Sequence, residues 1–98
     1  MNTNHYKKRY IKAVKRCIEL GVDKEPSLNT PNGLYLRLMI TGTAIGIALG
    51  EPKEFMNNLI LLTAHELNLP INKIEAMANV EISGQLLRKA MAIEASRK

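Results

Sequence analysis

The sequence predicts an all-α fold, a compact bundle of about five helices in a single domain over residues 1–98. Three observations carry that prediction. Apolar residues recur at steps of three and four along most of the chain, the period that lines one face of a helix. No alternation of apolar and polar residues lasts long enough to make a strand. Proline, glycine, asparagine and serine fall at the intervals where helices begin and end. A chain of 98 residues builds one modest core and leaves no room for a second folded unit.

The first helix is expected from near Asn4 to Gly21, a residue suited to the left-handed conformation that ends a helix. Tyr6, Tyr10, Ile11, Val14, Cys17 and Ile18 share one face of it. Lys8, Lys12, Lys15 and Arg16 lie opposite, with Lys7 and Arg9 beside them, so six of the 14 basic residues crowd into this helix. Residues 22–33 hold Asp23, Pro26, Asn29, Thr30, Pro31 and Gly33 and are predicted to be a long loop. Thr30 then serves as N-cap of a second helix, with Pro31 in the first turn, where its missing N–H costs nothing.

That second helix is expected to run to about Leu49. Residues 34–49 carry only one charge, Arg37, and fall short of the roughly 20 apolar residues that span a bilayer, so a buried core helix is predicted. Gly42, Gly46 and Gly50 recur at every fourth position and predict a stripe of close packing inside the core. Each glycine costs about 1 kcal/mol of helix propensity, and a break near residues 41–43 would relieve that cost. A third helix follows Gly50, Glu51 and Pro52 and ends near Leu67. Its apolar arc, with Phe55, Leu59 and Leu62 beside Met56, Ile60 and Leu67, is wide enough to predict heavy burial. Asn68 and Leu69 make a turn, Pro70 opens a short fourth helix to about Ala78, and Asn79 closes it. Ser83 is expected to cap a fifth helix through Leu86, Leu87, Ala90, Met91 and Ile93.

Catalysis is not expected. His5 and His65 have no nucleophile or paired acid at motif spacing, and one cysteine with two distant histidines offers no metal-ligand pair. Gly42, Gly46 and Gly50 are too far apart for a phosphate-binding loop and follow no strand. No cofactor or metal is therefore predicted. Cys17 cannot form an internal disulfide, and Asn2, Thr3, Asn4 and His5 lead directly into lysines without the apolar run of a signal peptide, so the cytoplasm is the expected compartment. The net charge of +5 favours phosphates or acidic protein surfaces as partners.

Within residues 62–78, Thr63, Ala64, Leu67, Asn68, Leu69, Ile74 and Met77 fall where a small residue, a core leucine, a turn and the apolar pins of a second helix are needed. The segment thus resembles a helix-turn-helix unit, which implies a second helix laid in a DNA major groove. Its groove-facing positions would be Pro70, Ile71, Asn72, Glu75, Ala76 and Asn79. Of these the asparagines read base edges well, whereas Glu75 meets phosphate with the wrong sign. A second frame through Ala78, Asn79, Val80 and Leu86 lies one residue out of register.

Leu69, Pro70 and Ile71 form an apolar elbow flanked by asparagines, which is either tucked into the core or offered to a protein. An exposed Leu69–Pro70 bond would also suit a prolyl isomerase. In size, basic balance and helical make-up the chain resembles the small accessory proteins of lambdoid phages, among them the anti-RecBCD type. That resemblance rests on general character and carries no site residues. It implies a non-enzymatic modulator in the host cytoplasm, binding a protein complex that acts on DNA, such as the RecBCD recombination nuclease. The expected partner-binding residues are Lys8, Lys12, Lys15 and Arg16 on the basic stripe and Leu69, Pro70 and Ile71 at the elbow; a helix-turn-helix DNA-binding regulator is the alternative.

Overall fold

Gly21 ends the first helix with a φ of 70°, a left-handed turn that a residue with a side chain adopts only under strain. A computed structural model describes residues 3–97. Among these residues the chain forms four α-helices, α1 (Thr3–Leu20), α2 (Pro31–Ala48), α3 (Glu54–Leu67) and α4 (Ile71–Ser96), and no strand. The all-α prediction holds, but the count of five does not.

The fourth and fifth helices of the sequence prediction are one continuous α4. Ser83 caps nothing: it is fully buried, and its hydroxyl donates to the Asn79 carbonyl one turn back. The break expected between Asn79 and Ser83 is overridden by packing against α1, the most extensive helix pair among the described residues. Gly84 sits under Tyr10, whose ring lies 3.3 Å from where a Cβ would stand. Local propensity costs of this kind are small against the burial of a whole helix face. At about 1.5 Å per residue, the 26 residues of α4 account for most of the 46 Å long dimension.

The long loop is also more structured than expected. Residues 22–33 contain two 3₁₀ turns, Val22–Lys24 and Pro26–Asn29, before α2 begins. Val22 and Leu28 are buried in the core beside Leu36, Ile40, Met56, Leu59, Ile74 and Ile82. Two apolar anchors therefore hold a segment whose polar residues predict a loop. An ion pair between Lys73 and Glu25, both about four-fifths buried, ties the same segment to the start of α4.

Thr30 caps α2 as predicted, accepting the Gly33 N–H at 3.0 Å. No break occurs at residues 41–43, where the Thr41 and Thr43 hydroxyls donate back to the Arg37 and Met39 carbonyls within the helix. At the far end, Lys89 of α4 donates to the Ala48 carbonyl at 2.8 Å, placing a cation at the negative end of the α2 dipole. The glycine stripe packs differently from the expectation. Gly42 faces open space, and Gly50 is a turn residue with a φ of 106°. The Gly46 position is closed by the flexible Glu51 carboxylate. Close backbone packing falls instead on Gly33, buried against the backbone of Ser27 and Leu28.

Neither α2 nor α3 is buried as deeply as the sequence suggests. Residues 34–49 form a core helix on one side only, through Leu36, Ile40, Ala44 and Ala48. On the other side Leu38 and Leu49 are 71% and 75% exposed. In α3, Met56, Leu59, Thr63 and Leu67 face inward, while Phe55, Leu61 and Leu62 face water. Among the described residues no helix is long and apolar enough to cross a membrane.

Candidate interaction face

The basic stripe of α1 is a consequence of helical spacing. Lys8, Lys12 and Lys15, four and then three residues apart, project from one side of α1 and are all exposed, while Ala13 is buried on the inner side. Arg16 lies next to them, its side chain 58% exposed and 3.3 Å from the Glu19 carboxylate. That distance marks a surface pair of small energetic weight, since water and salt screen it.

Arg16 is the hinge of the site. It lines a groove with Lys53 and Asn57 from the start of α3 and with Asn72, Glu75 and Asn79 from α4, floored by Met56, Ile60 and Ile82. On one side of Arg16 a second depression, bounded by Arg9, Lys12, Lys15, Glu19 and Asn79, extends the groove along α1. At the opposite end Asn57, Ile60 and Glu75 are shared with a shallow hollow that includes Leu61 and Ile71. The basic stripe and Ile71 of the elbow, far apart in sequence, are thus at two ends of one surface. Lys8 stands beyond the α1 end of it, outside these hollows.

The elbow divides between core and surface. Asn68 takes the left-handed conformation at φ 53° and ψ 47°, which closes α3 and reverses the chain. Leu69 then packs partly against the core. Pro70 is exposed at the N-cap of α4, behind a trans peptide bond, and Ile71 is 42% exposed in the first turn. Of the three predicted elbow residues, Pro70 and Ile71 are therefore the exposed ones.

Over residues 62–78 the end of α3, the turn at Asn68 and the start of the long α4 follow one another. Of the six positions assigned to a DNA groove, Asn72, Glu75, Ala76 and Asn79 line the groove with Arg16. Lys53 and Asn57 belong to the same groove but were missed, because they lie in α3 or just before it and match no motif. The signal available was the polar interruption of an otherwise apolar arc by Asn57 and Asn58.

Cys17 lies on the side of α1 away from the lysines, half-buried beside Val22 and Asp23. Burial pushes its thiol up from the ordinary range, and the Asp23 carboxylate adds to the shift. The thiolate needed for nucleophilic work is thereby disfavoured. No group of three or more His, Cys, Asp or Glu side chains able to hold a metal ion is gathered among the described residues. His65 is exposed on α3.

No family model, no curated protein and no solved structure matches this chain.

Proposed function

We propose that the chain is a non-enzymatic, phage-type modulator. In this reading it binds a host protein complex that acts on DNA, such as the RecBCD recombination nuclease, and alters its activity in the host cytoplasm. The supporting observation is the continuity of the face from Lys12 and Lys15 through Arg16 to Ile71, next to which Pro70 is exposed. A net charge of +5 steers such a face toward an acidic protein surface. Glu19 and Glu75 within it suit a partner of mixed sign better than a polyanion, which is negative throughout. The apolar end supplies the anchors that bind after charge has steered the encounter. Pro70, exposed on its turn, is also where a prolyl isomerase would engage.

The alternative, a helix-turn-helix DNA-binding regulator, is favoured by one arrangement. Asn72 and Asn79, which suit base edges, share the groove with Arg16 and Lys53, which suit phosphates. Salt dependence separates the two. Phosphate binding weakens log-linearly as counterions compete, so duplex DNA titrated at low and physiological salt measures it directly. The proposal expects no measurable duplex affinity at low salt and specific recovery of a DNA-processing complex from host lysate. Reversal at Lys12→Glu with Lys15→Glu should then reduce recovery at least tenfold, about 1.4 kcal/mol, without lowering the thermal midpoint. Tight, steeply salt-dependent DNA binding with no recovered complex would instead establish the regulator.

A further inference from the structure

The groove of α1 and α4 leaves the opposite side of the molecule unexplained. On α2 the exposed residues Leu34, Leu38, Ile45 and Leu49 follow one another at steps of four, seven and four, with Gly42 exposed and Thr41 half-exposed between them. These positions fall on one side of an α-helix and none of them is charged. Tyr35 stands beside them. The connection at residues 49–53 brings α3 back against α2. Asn57, Ile60 and Leu61 occupy the flank of α3 that faces α4. Phe55 and Leu62, seven residues apart on the other flank, therefore border α2 and widen its apolar stripe.

Two properties identify what covers this face. The first is symmetry. Reversed end for end, the stripe maps Leu34 onto Leu49, Leu38 onto Ile45 and Thr41 onto Gly42, so it is its own complement about a point between Thr41 and Gly42. A two-fold axis sets the same patch against itself in this way, so a second copy of the chain fits the pattern along its whole length. The second is Gly42. No atom lies within 4 Å of the place where its Cβ would stand, so nothing inside the chain requires a glycine there. Its bare backbone is the gap through which a second helix can approach closely at the centre of the stripe.

Charge and area agree with this assignment. A net charge of +5 opposes self-association least across an uncharged stripe, and the exposed Arg37 stands at its edge beside Leu34 and Thr41, outside the line of leucines. Exposed at between 43% and 75%, the seven side chains from Leu34 to Leu62 named above present on the order of 800 Å², about what each partner contributes to a standard interface. We propose that the chain forms a two-fold symmetric dimer through α2, antiparallel about Thr41 and Gly42 and flanked by Phe55 and Leu62. Both copies of the basic groove stay outside the interface, so the dimer presents its partner-binding face twice.

Light scattering coupled to size exclusion, run between about 1 and 100 μM at the weak end of the affinities open to an interface of this size and diluted further where the parent stays dimeric, tests the dimer directly. The expected mass is twice that of the chain at the upper concentrations. Gly42→Glu is the discriminating variant, because the single chain has room for the side chain while two copies bring like charges together on the axis. It should retain full helical circular dichroism and lose about 100-fold in association constant, the size of effect that facing like charges produce. Direction is read in a Cys17→Ser background by mixing Leu34→Cys chains with Leu49→Cys chains. The mixed disulfide is expected to dominate over either homodisulfide. A monomer throughout the range, a Gly42→Glu dimer as tight as the parent, or a predominant Leu34→Cys homodisulfide would each overturn the proposal.

Discussion

On the α1 side of the molecule Lys8, Lys12 and Lys15 stand in water while Ala13 lies in the core; on the α2 side Leu38 and Leu49 stand in water while Ala44 and Ala48 lie in the core. In α1, polarity decides which way the helix faces, because burying an unpaired lysine is far costlier than burying an alanine. In α2 polarity has little to say, since nearly every residue is apolar. Packing decides there. Gly33, Ala44 and Ala48 let the helix approach its neighbours closely while Leu36 and Ile40 fill the core between them, and Leu34, Leu38 and Leu49 are left outside. Hydrophobicity thus positions one helix and shape the other.

Glycine-to-alanine substitution in α2 is the strongest probe of that difference, because the two sides should respond with opposite sign. At Gly33 a Cβ would collide with the Ser27 carbonyl oxygen and stand 2.9 Å from the Leu28 backbone. Backbone on both sides cannot give way as a flexible side chain does. Gly33→Ala should therefore destabilise by about 3 kcal/mol, among the larger single-site effects, and lower the thermal midpoint by roughly 12–24 °C. Gly42→Ala, in open space on the outer stripe, should stabilise the dilute chain by up to about 1 kcal/mol through helix propensity alone. Thermal melts of the two variants at low concentration check both signs, and a stabilised Gly33→Ala would show that α2 does not seat tightly on the 3₁₀ segment.

The same difference explains how much was legible in the sequence. The α1 boundaries, the Thr30 cap and the Asn68 turn were readable because each depends on local chemistry: a left-handed glycine, a threonine hydroxyl, an asparagine tolerant of positive φ. The basic stripe was readable from spacing. By contrast, the orientation of α2 was hidden, since a uniformly apolar run carries no phase to mark its inner side. The continuity of α4 was hidden for another reason. Asn79, Ser83 and Gly84 are locally unfavourable to a helix and are overruled by α1, which lies far away in sequence. The groove joining Arg16 to Lys53 and Asn72 is likewise a product of tertiary packing.

A smaller effect is expected where α3 inverts the usual arrangement. Thr63 is fully buried, and its hydroxyl has no hydrogen-bond partner among the described residues, while Phe55 on the same helix is 59% exposed. An unsatisfied buried hydroxyl loses its hydration without compensation, whereas valine has nearly the same shape. Thr63→Val should therefore stabilise by about 1 kcal/mol, read as a rise of roughly 4–8 °C in the thermal midpoint. A lower midpoint would mean that the hydroxyl is satisfied in solution, by water or by a shift of α3.

The smallest expected effect belongs to Cys17, which lies on α1 itself but away from the lysine stripe. Burial is the first cause of its raised pKa, and the Asp23 carboxylate acts in the same direction. The folded chain thus favours the neutral thiol. Its contribution to stability is complete below the unfolded cysteine value, about 8.5, and is lost as pH rises from there through the folded value. Alkylation by iodoacetamide should show its inflection at higher pH than an unfolded cysteine peptide, with correspondingly little reaction at neutral pH. An inflection at or below that of the peptide would require a cation beside the sulfur. Arg37, which lines the same hollow as Cys17 and Asp23, is the cation so placed, and it would then outweigh the burial that disfavours the thiolate.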